Sequence, residues 1–278
     1  DELADNPFAL FVALDCRAIA YLFASNHYDP NELINEANII ATRLDDYPNG
    51  WAVDFRAGYY ELVDHPRAEA VYRQTRNDWW CANRAAFMLR KDEQFLLDNA
   101  TAEPREKPFQ SVGEGTAFAL LGETERARQI YNEIHNLDAW IVRVASLEIL
   151  LNIGSKDSLD ECRRQSQDYL NELRATDDFF DPPFWVLEKR LRYLAGEPGY
   201  DEDAFIHSMN GSLFGECYAN YLCGISLRAR GDKRASKYFR RCVETKQFWM
   251  WHYQFSKSIL ERHYSEEGVQ LRSNHDPR

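Results

Sequence analysis

The stretch SVGEGTAFALLGETERARQIYNEI, residues Ser111–Ile134, decides how the chain is expected to fold. Gly115 and Phe118 lie in a first apolar segment that ends at Gly122, and a second segment with apolar residues at helical spacing follows. Glycine adopts the left-handed backbone that commonly ends a helix, and a glycine within a helix lets a neighbouring helix approach closely. The stretch therefore predicts two helices joined by a tight turn.

This arrangement resembles the tetratricopeptide repeat, in which a small residue permits close packing, an aromatic residue fills the adjacent gap and a glycine supplies the turn. A second copy is YLCGISLRARGDKRASKYFRRC, whose turn is one residue shorter. Its matching residues are Gly224, Leu227, Gly231, Ala235 and Phe239. The resemblance implies a stack of helix pairs that presents a concave surface to a bound protein or peptide.

The rest of the chain also predicts helices, because no segment alternates apolar and polar residues as a half-buried strand does. The sequence predicts an all-α fold: an α-solenoid of about seven antiparallel helix pairs with a C-terminal capping helix. The pairs are placed near residues 8–46, 50–77, 78–103, 109–136, 138–175, 183–210 and 214–246, and the last helix near 248–265. Residues 1–265 are expected to form one domain and residues 266–278 a flexible polar tail.

Large side chains replace much of the repeat pattern, and several turns differ in length from the family norm. The large residues are Trp51, Trp79, Trp80, Trp140 and Trp185. These departures favour an irregular solenoid, one able to close on itself, over a regular superhelix.

The charge distribution narrows the range of partners. A formal net charge of −12 argues against nucleic acid, because binding to phosphate backbones depends on clustered Lys and Arg. Residues 1–50 carry nine Asp and Glu against two Lys and Arg, whereas residues 228–246 carry eight Lys and Arg against two Asp and Glu. Charges also interrupt every apolar run, so no membrane span is expected.

The cysteines indicate a reducing environment. There are six, with no C-x-x-C pair, and they lie in apolar helical patterns where a free cysteine acts as a small hydrophobe: Cys16, Cys81, Cys162, Cys217, Cys223 and Cys242. A cytoplasmic location is expected, with a removed leader left open because the chain begins at Asp1.

The stretch TDDFFDPPFW contains a D-D-x-x-D motif, Asp177, Asp178 and Asp181, with which terpene cyclases bind magnesium. Pro182 and Pro183 follow at once, and proline disfavours a helix at the residue before it. Asp181 is therefore interpreted as the N-cap of a helix that begins at Pro182. No second metal motif of the cyclases follows downstream.

Other catalytic patterns are missing from the sequence. The seven histidines form no H-E-x-x-H or H-x-x-x-H site, the segment around Ser212 lacks the G-x-S-x-G frame, and there is no phosphate-binding P-loop motif. We therefore expect a protein that is not an enzyme and that holds no cofactor or metal.

Two groups of residues are candidates for partner binding. Arg230, Arg234, Lys237 and Arg241 recur at helical spacing and form a basic stripe, which is either a solvated helix face or a docking surface for an acidic partner. One such acidic partner is the N-terminal part of a second copy of the chain. The aromatic segment QFWMWHYQF, residues Gln247–Phe255, is either a buried cap or an exposed patch.

In that aromatic segment Trp249 and Trp251 are the candidate anchors for a partner. In the register of the second repeat, Tyr218 and Tyr221 are expected on the concave wall. Neither repeat has Lys or Asn at the positions with which some tetratricopeptide proteins clamp a chaperone's C-terminal carboxylate. A chaperone-tail adaptor is therefore disfavoured.

The sequence thus predicts a non-enzymatic scaffold or adaptor that binds a protein or peptide, without nucleic acid or membrane as a partner. Two alternatives stay open. One is an all-α enzyme, or the regulatory region of an enzyme, whose site is assembled from distant residues. The other is a structural subunit that associates with itself head to tail through its acidic and basic ends.

Overall fold

The computed structural model describes residues 38, 42, 50–75, 78–100, 103–175, 184–209, 211, 213–248 and 250–264. Within these residues the regular structure is entirely helical, which confirms the all-α prediction. The helices are α1 Gly50–Leu62, α2 Ala68–Gln74, α3 Asp78–Lys91, α4 Glu93–Asp98, α5 Pro108–Leu121, α6 Thr124–Ile134, α7 Trp140–Ile153, α8 Lys156–Ala175, α9 Phe184–Ala195, α10 Glu202–Met209, α11 Leu213–Ala229, α12 Ala235–Glu244 and α13 Trp251–His263.

Most consecutive helices pack on each other, and α3 also packs directly on α5. Six predicted intervals, from 50–77 to 214–246, each contain two of these helices, and α13 lies within the predicted last helix. The predicted pair near 8–46, the tail at 266–278 and the D-D-x-x-D motif with Pro182 lie outside the described residues.

Glycines end the helices where the sequence predicts turns. Gly122 has a left-handed backbone with φ of 84°, and Gly154 ends α7 in the same way with φ of 69°. After α5 the amide of Glu123 donates to the carbonyl oxygen of Phe118 at 2.9 Å, and the amide of Gly122 donates to that of Ala119 at 3.2 Å. These two bonds satisfy carbonyls at the helix end that would otherwise lack donors.

Glycines within helices also permit close packing between α3, α5 and α7. A Cβ on Gly113 would lie 2.5 Å from the Cα of Ala82 on α3, and one on Gly115 would lie 2.6 Å from the Cδ1 of Ile149 on α7. Gly113 therefore brings the α5 backbone against the α3 backbone, a contact that the repeat resemblance did not predict.

The last helix returns to the first described part of the chain. Ser258 Oγ on α13 donates to the carbonyl oxygen of Ala86 on α3 at 2.6 Å, although 172 positions separate the two residues. Helix α13 also packs against α11 and α12. The carboxylate of Glu61 on α1 is buried and pairs with Arg90 of α3 at 2.5 Å and with Lys257 of α13 at 3.0 Å. These contacts tie the two ends of the described chain together.

The described cysteines are buried and free, and they pack as small apolar side chains. Burial raises the pKa of Cys162 to about 12. The sulfur atoms of Cys217 and Cys242 lie 3.3 Å apart between α11 and α12.

We predict that Gly113→Ala lowers the free energy of unfolding by about 1–3 kcal/mol, because the new methyl group meets backbone atoms of α3 that cannot move without separating the helices. The matched control is Gly115→Ala on the same helix, where the nearest atom is the flexible end of Ile149. Both changes gain the same helix propensity, about 1 kcal/mol.

Urea denaturation followed by circular dichroism measures the difference between the two variants. The close contact between α5 and α3 is contradicted if Gly113→Ala is as stable as the wild type, or if Gly115→Ala costs more than Gly113→Ala.

Candidate functional site

A buried polar cluster lies where α7, α9 and α13 meet. Arg190 Nη2 donates to Oε1 of Glu148 at 2.5 Å, and His252 Nε2 lies 3.3 Å from the same oxygen. The indole Nε1 of Trp251 donates to the other carboxylate oxygen of Glu148 at 3.3 Å. All four side chains are buried. Both oxygens of the carboxylate are thus satisfied by groups from two other helices.

The ionisation of the cluster follows from its contacts. Burial acts to raise the pKa of Glu148, but Arg190 and His252 outweigh it and hold this pKa below its ordinary value. Burial is the largest influence on His252 and lowers its pKa below 6.5, although Glu148 opposes the effect. At neutral pH the cluster therefore contains an ionised Glu148, a charged Arg190 and a neutral His252, whose Nε2–H donates to the carboxylate.

Tyr218 and Tyr221 belong to this cluster. Their rings stand edge-on to the imidazole of His252, with centroids at 4.6 and 5.1 Å, and the Arg190 guanidinium lies 4.9 Å from the centre of the Tyr218 ring. Only 4% of Tyr218 and 0% of Tyr221 are exposed. The expectation that they line an open wall is corrected by the structure, because α13 covers both side chains and leaves them no surface for a partner.

Trp251 is buried as well, between Glu148 and the ring of Phe109 on α5, whose centroid is 6.3 Å from that of the indole. In the aromatic segment, Tyr253 and Phe255 are also buried. The structure therefore contradicts an exposed anchor at Trp251 and agrees with a buried cap. Trp249 lies outside the described residues.

The cluster is built to hold helices together. Glu148 is enclosed and its oxygens are already bonded, so a solute cannot reach it in this conformation. The sequence signal that was missed is the single charge in the apolar run VASLEILLNI, because a carboxylate amid core residues must be paired with a buried cation. Its partners, at positions 190 and 252, are too distant for helical periodicity to reveal.

The four residues of the predicted basic stripe do not lie on one helix: Lys237 and Arg241 lie on α12, Arg234 is the N-cap of α12, and Arg230 lies in the turn after α11. Arg230 is 52% exposed and pairs with Glu202 at 2.5 Å, while Arg234 is 61% exposed and pairs with Asp232 at 2.7 Å. These two guanidinium groups are neutralised locally, and their positions are fixed by the pairs.

Lys237 and Arg241 complete the stripe, one helical turn apart on α12. Both are exposed, and neither makes an ion pair with the described residues. The Arg241 guanidinium lies 6.0 Å from the centre of the Tyr238 ring. The structure thus places side by side on the surface two cations that have no counterion among the described residues.

Comparison of the chain with family models, curated proteins and solved structures found no match. Within the described ranges, no group of three or more His, Cys, Asp or Glu side chains is arranged to hold a metal ion. In the same part of the chain, no helix has both the length and the apolar character needed to cross a bilayer.

We predict that Glu148→Gln lowers the free energy of unfolding by about 3–5 kcal/mol, because it leaves the buried charge of Arg190 without a counterion. The same substitution at Glu172, which is 53% exposed and pairs with Arg143 at 2.6 Å, is the control and is expected to cost under about 1 kcal/mol. Chemical denaturation measures both values. Equal losses at the two positions would contradict a structural role for the buried pair.

The lowered pKa of His252 predicts a pH dependence of stability. Below pH 6.5 the unfolded chain binds a proton at this position that the folded chain does not. The free energy of unfolding therefore decreases as the pH is lowered, until the pH reaches the lowered pKa of the folded state. One such proton accounts for up to about 1.4 kcal/mol per pH unit.

Replacing His252 by Gln should reduce this slope, measured by urea unfolding from pH 7.5 to 5. Some slope remains, because burial and two nearby arginines lower the pKa of His263 in the same direction. A slope that is unchanged in His252→Gln would show that the imidazole is not held neutral.

Proposed function

We propose that this chain is a non-enzymatic, tetratricopeptide-like scaffold that binds an acidic protein or peptide through the outward face of α12. The repeat resemblance and the paired helices support the solenoid architecture. Because α13 covers Tyr218 and Tyr221, the proposed contact is on the outer surface and not in a concave groove.

The observation that carries this proposal is the pair of exposed cations, Lys237 and Arg241. The whole chain has a formal net charge of −12, and these two cations lie one helical turn apart with no ion pair to the described residues. Exposed charges of one sign favour partners of the opposite sign and speed their association. Arg230 and Arg234 are exposed but already paired, with Glu202 and Asp232, so they are not counted in the proposed contact.

The enzyme alternative receives less support. Glu148, His252 and Arg190 converge as the residues of an active site would, but their contacts enclose the carboxylate and fix α13. A scaffold accounts for the same cluster as a device that stabilises the fold. The free, buried cysteines remain consistent with the proposed cytoplasmic location.

We expect Lys237→Glu combined with Arg241→Glu to lower the recovery of a bound partner at least tenfold, because the contact surface changes sign. The matched control is Lys156→Glu with Arg164→Glu, which makes the same change of charge at exposed positions of α8. Each protein is used for affinity purification from the cells that produce it, and the bound proteins are quantified by mass spectrometry.

Loss of the partner in the α12 variant alone supports the scaffold and locates its contact surface. Equal loss in both variants, or no partner with the wild type, overturns the proposal.

The structural-subunit alternative is tested with the same proteins by light scattering at low and high salt. An assembly that dissociates in salt and is abolished by the α12 changes would identify a second copy as the acidic partner.

A further inference from the structure

A cavity of about 280 Å³ lies between α2, α3, α4 and the start of α5, away from the α12 face. Its lining includes three cations, and none of the described lining side chains is a carboxylate. The polar and aromatic residues that matter here are Arg73, Arg84, Lys107, Phe95, Asn99 and Gln110. The cavity therefore combines a positive charge with hydrogen-bonding groups in a concave site.

Arg84 is the decisive residue. It is only 8% exposed, and its guanidinium makes one hydrogen bond with the described residues, from Nη1 to the carbonyl oxygen of Thr75 at 3.1 Å. A guanidinium has five N–H donors, and a buried charge is costly without a counterion. No described carboxylate lies within ion-pair distance of Arg84, so its remaining donors and its charge are available to the cavity that it lines.

The ring of Phe95 lies near Arg84 and near a second arginine of the cavity, Arg73. The Arg84 and Arg73 guanidinium groups lie 5.9 and 4.7 Å from the ring centre. Arg73 already pairs with Glu69 at 2.7 Å and with Asp92 at 2.5 Å. The charge of Arg73 is thus already balanced by two carboxylates, which leaves Arg84 and Lys107 as the other cations of the lining.

Lys107 supplies a second positive charge that lines the cavity, with the carboxylate of Glu106 as its neighbour along the chain. It is exposed, makes no ion pair with the described residues, and directly precedes α5. No side chain caps the first turn of α5, whose first residue is Pro108, and Gln110 of this turn lines the cavity. The positive end of the α5 dipole therefore adds to the field from Arg84 and Lys107.

We propose that this cavity binds a small molecule through an oxyanion, either a phosphate or a carboxylate group. Arg84 donates from the buried side and Lys107 adds a point charge at the mouth, while Asn99 and Gln110 offer polar contacts. The volume lies just below the usual range for ligand pockets, about 300–1,000 Å³, which suits a small metabolite. This site is independent of the scaffold function and of the α12 surface.

The experiment uses the full chain with ¹⁵N-labelled arginine and titrates inorganic phosphate, succinate and chloride at equal ionic strength. The Nε–Hε signal of Arg84, assigned through the variant Arg84→Lys, is expected to shift and saturate with phosphate.

Lys107→Gln should weaken binding about tenfold, the size expected for one charge-assisted hydrogen bond. Because Lys107 is exposed, this variant should keep its fold. The matched control, Lys91→Gln, removes an exposed charge at the far end of α3 and should leave the affinity unchanged.

Saturable binding of phosphate alone assigns the site to phosphorylated ligands, and tighter binding of succinate assigns it to carboxylates. The proposal is overturned if neither anion shifts the Arg84 signal more than chloride does, or if Lys91→Gln weakens binding as much as Lys107→Gln.

Discussion

The Glu148 carboxylate is a constraint on which the rest of the structure depends. It lies in the middle of an apolar helix, where an ionised group costs several kcal/mol unless it is paired. Arg190 and the first two residues of α13 provide that pairing, so α7 can pack in the core only when α9 and α13 are in place. One charge thereby couples segments that are 42 and 104 positions from it along the chain.

The buried carboxylate of Glu61 also couples distant segments, at the other end of the described chain. Its carboxylate is buried, accepts from Tyr72 at 3.1 Å, and pairs with Arg90 of α3 and Lys257 of α13. Helix α13 is thus held by two buried carboxylates, one from α1 and one from α7. These ion pairs connect α13 with α1 and α3, helices from the opposite end of the described chain.

Sequence reasoning located the helices and their turns because the signals are local. Gly122 ends α5 with the left-handed backbone that glycine favours, and the exposure of Lys237 and Arg241 follows from helical spacing. It failed for Tyr218, because the helix that covers this residue is contributed by a later part of the chain. Apolar periodicity says that a face is covered, but it does not say by which segment. For the same reason the cavity at Arg84, whose walls come from four helices, could not be predicted from the sequence.

Two kinds of buried charge can be distinguished in this structure: those paired within the fold and one that has no ion pair with the described residues. Glu61 pairs with two cations and Glu148 with Arg190 and two ring N–H donors; these contacts hold both pKa values below the ordinary range, and both carboxylates link α13 to the fold. Arg84 is comparably buried but has only a carbonyl oxygen as a partner, and it joins no other helix through an ion pair in the described structure. A charge that stabilises a fold is expected to be matched within it, as the two glutamates are. An unmatched charge at the wall of a cavity is instead suited to an anion that comes from outside the chain, which is why Arg84, and not the better connected Glu148, marks the ligand site.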